Sequence, residues 1–255
     1  MSEKIDVAAP HPILAADAPP ATVTGEAGLL DRLAGDDLAR LTLGFYCVFW
    51  GALVMLAALC ESLTSMSVRF VPVFVLGAGS LTLVVGAWRL HQVNALGDSW
   101  RRRTREAIIA AGLLAYLCPF YLMWRRVPVN LYLLGHALAF LAVFCYSVSL
   151  CCQMVAVIGR VAGKRRLVVQ AILFGTISIV MLFPPFALFA QLMVLAGRAG
   201  RDPLGLLQFW LERAQPWMVL LVLAPFALSL SLVWAAKDLV LQRLLAARAT
   251  EPPSS

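Results

Sequence analysis

Six long apolar stretches dominate the chain, separated by short polar runs. They cover about residues 41–60, 70–90, 107–124, 127–157, 167–196 and 216–236. Each approaches or exceeds the roughly 20 residues that a helix needs to cross about 30 Å of hydrocarbon. None alternates strictly with a two-residue period, and each is too long for a membrane β-strand. The pattern therefore predicts an all-α fold, a polytopic integral membrane bundle of six transmembrane helices occupying residues 41–240.

The flanks follow a different pattern. Residues 1–25 contain Pro10, Pro12, Pro19 and Pro20 without apolar periodicity and read as a disordered arm. Residues 26–40 bring Leu29, Leu30 and Leu33 near one helical face with Leu41, which predicts a short amphipathic interfacial segment. A second interfacial helix is expected before the sixth span, where Asp202 and Pro203 provide an N-cap and a proline at the first helical position. Residues 241–255 read as a tail. No basic run leads into an apolar one at the start of the chain, so the first span is expected to act as an uncleaved signal anchor.

Charge adds a direction. Of the 21 Lys and Arg residues, 15 fall in the N-terminal segment, the even-numbered loops and the C-terminal tail. The odd-numbered loops hold the other six: Arg69, Arg125, Arg126, Arg198, Arg201 and Arg213. Positive charge gathers on the cytoplasmic side of membrane proteins, so both termini are expected there. With loops this short, a bacterial-type inner membrane is the expected setting. Arg101, Arg102, Arg103, Arg105, Lys164, Arg165 and Arg166 are candidates for contact with anionic lipid headgroups on that side. The net charge of +7 is accounted for in this way, without nucleic acid.

Composition narrows the function classes. The chain has 255 residues, 61% hydrophobic and only 14% charged. A soluble domain normally carries about 25% charged residues. Soluble Rossmann, barrel and sandwich folds are excluded on that ground, as is a disulfide-stapled secreted domain. Enzyme motifs are also missing: there is no HExxH, GxSxG, P-loop or GxGxxG.

Inside the spans, chemistry is sparse. No Asp or Glu lies deep within any of them; Glu61 ends the first and Asp238 follows the sixth. Ion-coupled carriers place carboxylates near mid-membrane. His136 is the one ionisable side chain of Asp, Glu, Lys, Arg or His type well inside a span. It shares a helical stripe with Phe140, Val143, Ser147 and Cys151, which makes His136, Ser147 and Cys151 a candidate polar site in a cavity between helices. The plainer account is a neutral imidazole donating to a neighbouring carbonyl as a packing device. Haem is not expected: His91 and His136 differ in depth by about 12 residues, roughly 18 Å at the helical rise, too far to share one iron. No cofactor is expected on any other ground.

The six cysteines form no CxxC and read as small apolar residues, with a bridge between Cys60 and Cys118 left open. Pro119, Pro184, Pro185 and Pro225 interrupt spans three, five and six and are expected to kink or break them. Their contexts are alike, Pro-Phe in the first case and Pro-Phe-Ala-Leu in the others. Small residues recur every four positions at Ala78, Thr82 and Gly86 and at Ala107, Ala111 and Ala115, as at close helix crossings. Trp100, Trp124, Trp210 and Trp217 fall at expected interfaces, where amphipathic rings anchor.

Two functional readings follow. The first is a non-catalytic subunit, scaffold or assembly partner of a membrane complex, with a membrane-protein partner or a homo-oligomer expected. The alternative is a small permease or channel-like transporter whose path is lined by the Pro-kinked helices and His136.

Overall fold

The computed structural model describes residues 29–64, 71–213 and 216–250. The arm at 1–25 and the last five residues of the tail lie outside that range. No strand occurs among the described residues. After a 3₁₀ turn at Leu29–Arg32, seven α-helices follow: α1 (Gly35–Thr64), α2 (Val71–His91), α3 (Asp98–Arg126), α4 (Leu131–Val161), α5 (Arg165–Arg198), α6 (Pro203–Arg213) and α7 (Pro216–Thr250). All but α6 are long and apolar enough to cross a membrane, as expected for a multi-pass membrane protein.

The helix limits reflect packing as well as hydropathy. Residues 35–40 form the first turns of α1, so only the 3₁₀ turn at Leu29–Arg32 stands before the first span among the described residues. Leu30, Leu33, Leu38 and Leu41 are all buried in the core, which ties this segment to the bundle. At the other end of the chain, α7 continues past 240 to Thr250, and Leu244 is still buried. The stretch before the last span is helical as α6, and the Asp202 carbonyl accepts from the Leu206 N–H at its first turn.

Consecutive spanning helices run antiparallel. The α1–α2 pair approaches backbone to backbone through two glycine pairs, each pair seven residues apart along its helix. A methyl group at Gly86 would meet the Gly44 carbonyl at 3.0 Å, and one at Gly51 would meet the Gly79 carbonyl at 3.0 Å. Of the expected small-residue stripe on α2, only Gly86 serves this crossing; Ala78 is exposed and Thr82 donates to its own helix, at the Ala78 carbonyl.

At the end where α2 hands over to α3, Trp100 is fully buried, tilted against Phe45, and its indole N–H donates to the Leu90 carbonyl at 3.0 Å. That carbonyl is in the last turn of α2, where helical partners run out. His91 Nδ1 and Thr104 Oγ1 lie 3.0 Å apart beside it, and Thr104 donates back to the Trp100 carbonyl. Trp124 is likewise buried, donating to the Pro128 carbonyl. Both rings are core residues with satisfied N–H groups, where headgroup anchoring was expected; the side chains of Trp210 and Trp217 lie outside the described set.

Tight turns link α3, α4 and α5. Asn130 caps α4, its side-chain oxygen accepting from the Tyr132 and Leu133 N–H groups at 3.0 and 3.2 Å. Gly163 and Gly200 close α4 and α5 in the left-handed region, at φ 66° and 69°. In each case the next N–H reaches back to a carbonyl five residues earlier, Lys164 to Gly159 and Arg201 to Ala196. The most covered spanning helix is α4, which packs against α3, α5 and α7.

Pro119, Pro184, Pro185 and Pro225 all sit inside helices that continue through them, so none breaks its span. Away from water, a backbone released from helical bonding has no other partner, which favours keeping the helix and forgoing only the bond at proline. The starts of α1, α3 and α5 and the ends of α2, α4 and α7 share one end of the bundle. Arg40, Arg89, Arg101, Arg102, Arg103, Arg105, Arg160, Lys164, Arg165, Arg166, Arg243 and Arg248 lie there.

Candidate functional site

Four recesses differ in wall chemistry, and they distribute the expected site residues unequally. His136 lies in a wide, shallow depression on the outer face of the α3–α4 pair, beside Tyr116, Leu117 and Tyr132. Its ring stacks on Phe120 at 4.6 Å and lies 4.4 Å from the Tyr132 ring. Nδ1 is 2.9 Å from the Tyr132 carbonyl one turn earlier in α4. A carbonyl only accepts, so Nδ1 carries a proton and donates there. A histidine so placed holds an aromatic seam between two helices.

Ser147 and Cys151 are three to four turns further along α4 and face elsewhere. They line small voids among α1, α2, α3, α4 and α7, each of about 30 Å³. Such a void has room for about one water. Ser147 donates to the Val143 carbonyl at 2.9 Å, and Ser229, across the same void, donates to Phe226 at 2.9 Å. Their hydroxyls are spent on their own helices. The structure thus brings Ser147 and Cys151 together and leaves His136 apart from them.

The third recess is an apolar one of about 340 Å³ lined by α1, α3, α4, α5, α6 and α7 toward the less basic end. Pro185, Phe186, Phe226, Phe144 and the two sulfurs of Cys60 and Cys145 are among its walls. Two of the three Pro-Phe sequences meet here, through Phe186 and Phe226, and Phe226 stacks on Phe144 at 5.3 Å. The third, through Phe120, serves His136 instead. Pro119 and Pro184 are exposed on the outside of the bundle, so the four prolines do not surround one path. None of the six cysteines is in a disulfide; Cys60 faces the cavity, and Cys118 is buried in α3.

The fourth recess is polar. A groove of about 350 Å³ runs between the start of α3, the last turns of α4 and the first half of α5. Arg103 and Arg160 line its mouth at the basic end, and Ser149, Gln153 and Thr176 line it further down. Gln153 Nε2 donates to Ser149 Oγ at 3.2 Å. Of the candidate headgroup contacts, Arg103 alone lines this groove; Arg101, Arg102, Arg105, Lys164, Arg165 and Arg166 stand around the same end on α3 and at the α4–α5 turn. Sequence reading passed over Ser149, Gln153 and Thr176. The Ser149–Gln153 spacing of four, one helical turn in an apolar helix, was the available signal.

Polar chemistry elsewhere is structural. The Ser62 and Tyr121 hydroxyls hydrogen-bond between α1 and α3. Lys237 is buried with its ammonium 3.3 Å from the Trp234 ring centre and 2.8 Å from an Asp238 oxygen. Among the described residues, no three His, Cys, Asp or Glu side chains group closely enough to hold a metal ion. Compared with known proteins, the chain matches no family model, no curated protein and no solved structure.

Proposed function

We propose that this protein is a non-catalytic membrane component that works through contact, as a subunit, scaffold or assembly partner. The observation that carries this reading is the dryness of the interior. The small voids within the bundle are lined by apolar side chains and by Ser147 and Ser229, each donating to its own helix, and the recess of about 340 Å³ toward the less basic end has apolar walls. A solute path needs polar groups free to replace hydration, and the permease reading placed them at His136. The His136 recess is a shallow one on the outer face, which removes the support that reading had.

A second observation points the same way. The apolar stretch of α5 is 28% buried, against 39–56% for the other five spanning helices. Val180, Leu188 and Leu195 are among its uncovered side chains. A helix packed on one side only is a natural seat for a helix of another chain. Apolarity alone does not drive such pairing in lipid, so shape must.

We further assign the setting as a bacterial-type inner membrane with both termini in the cytoplasm. The support is the alternation of basic residues along the sequence, 15 of 21 of them in the N-terminal segment, the even-numbered loops and the C-terminal tail. The test is purification of the tagged protein from its native membrane in mild detergent, with the companions quantified by mass spectrometry. A partner at fixed stoichiometry, present also after reconstitution into lipid, is the expected result. A clean homo-oligomer that passes solutes through liposomes, and loses that flux on His136→Ala, would return the permease reading.

A further inference from the structure

The polar groove has features that packing does not explain. In a chain that avoids polar atoms inside its spans, it carries hydrophilic side chains well down α4. Ser149 is 11 residues from Arg160, or about 16 Å along the helix, roughly half the thickness of a bilayer core. Gln153 Oε1 is buried and makes no hydrogen bond. The opposite wall, on α5, is mostly aliphatic, with Ala171, Ile172 and Ile179, and its one hydroxyl, that of Thr176, donates to the Ile172 carbonyl of its own helix at 3.0 Å. A recess that is cationic at its mouth, amide-bearing in the middle and aliphatic along one side has the same order of chemistry as a phospholipid.

Charge selects among phospholipids. Glu106 accepts from Arg103 at 2.9 Å and from Arg102 at 3.2 Å, so one carboxylate is shared between two guanidinium groups and the trio keeps a net positive charge. The Arg160 side chain has no carboxylate partner among the described residues. No carboxylate lines the groove itself. Two guanidinium groups at one mouth suit a phosphate, which accepts several N–H donors at once.

We propose that the groove between α3, α4 and α5 binds one anionic phospholipid, its phosphate at Arg103 and Arg160 and an acyl chain along Ile172 and Ile179. Gln153 then meets the ester region. Its amide ends exchange by a half rotation: turned, Oε1 accepts from the Ser149 hydroxyl and the Nε2 donors become available to an ester carbonyl. This assignment needs only that α3–α5 span a membrane; it does not rest on the scaffold reading.

The experiment uses the full chain in discs of neutral phosphatidylcholine containing a minor fraction of phosphatidylglycerol. Native mass spectrometry counts the anionic lipids retained, and thermal unfolding checks the fold of each variant. Wild type should retain one phosphatidylglycerol. Arg160→Gln should weaken its retention about fivefold, the effect of one basic residue at a headgroup. Ile172→Trp, which fills the aliphatic wall, should exclude the lipid while leaving Arg103 and Arg160 in place. Arg101→Gln and Arg105→Gln, at the same end but outside the groove, should leave the retained lipid unchanged. Equal weakening by Arg101→Gln would mean diffuse attraction to the surface and would overturn the site. So would retention of no lipid, or retention unaffected by Ile172→Trp. Free glycerol phosphate at millimolar concentration should not displace the lipid; displacement would make the ligand a soluble phosphate instead.

Discussion

A methyl group added at Gly86 would stand 2.9 Å from the Val48 backbone nitrogen, and one at Gly51 would stand 3.0 Å from the Leu83 nitrogen. Backbone cannot step aside as a side chain end can. Overpacking of this kind costs about 1–3 kcal/mol, more than the roughly 1 kcal/mol that alanine gains over glycine within a helix. Gly51→Ala and Gly86→Ala should therefore lower the thermal midpoint in detergent. Gly77→Ala and Gly112→Ala, with nothing within 4 Å of the new carbon, should hold or raise it. Hydrogen bonds sort in a similar way. Tyr121→Phe leaves Ser62 still donating to the Leu59 carbonyl at 2.9 Å, so it should cost only about 0.6 kcal/mol, the average for such bonds in a membrane protein. Trp100→Phe removes the indole donor and leaves the Leu90 carbonyl only the longer bond from the Val93 N–H at 3.3 Å, so it should cost about 1 kcal/mol. Parallel unfolding curves for the two variants check the order. The residue count to His136 began at Val127, whereas Asn130 caps the helix and α4 begins at Leu131, which puts His136 in its second turn. Its direction was not legible either, since that depends on which helices pack beside α4. The glycine pairs were hidden for the same reason: a seven-residue spacing acquires meaning only when the α1–α2 register brings the pairs face to face.

Among the elements, the number and order of the spanning helices were legible, because uninterrupted apolar runs of this length have no competing structure in lipid. Their ends were not: α3 starts at Asp98 rather than near 107, and α7 runs to Thr250 rather than near 236. What the pattern mislaid were extensions set by contact, as at 35–40 and 241–250, where Leu38 and Leu244 pack into the bundle. The proline positions were legible too, and of the two outcomes expected, a kink or a break, the break does not occur. Each costs a bond and the helix persists. The sharpest element boundaries are the left-handed glycines after α4 and α5. Replacing Gly163 by Val asks a β-branched residue to hold φ 66°, at a cost of roughly 1–2 kcal/mol or more. The same exchange at Gly35, outside the left-handed region and with open space around it, should cost less. Unfolding midpoints of the two variants give the comparison.

At the scale of the whole molecule, two properties stand out: an end-to-end asymmetry of charge and, the polar groove between α3, α4 and α5 apart, apolar walls around the recesses at the centre of the bundle. The first fixes an expected orientation. Alkaline phosphatase joined after Arg201 should be active, and joined after Arg248 inactive, with the opposite pattern for a fluorescent protein that folds only in the cytoplasm. The second underlies the view of the protein as a contact-making component. Here α5 is the element to probe, because its neighbours cover it least. The most direct test is photo-cross-linking in native membranes from a photoreactive residue in place of Leu188 on α5, 59% exposed, compared with one in place of Phe74 on α2, 74% exposed. The account predicts a single discrete polypeptide adduct from position 188 and lipid adducts alone from position 74. Lipid adducts alone from both positions would contradict it.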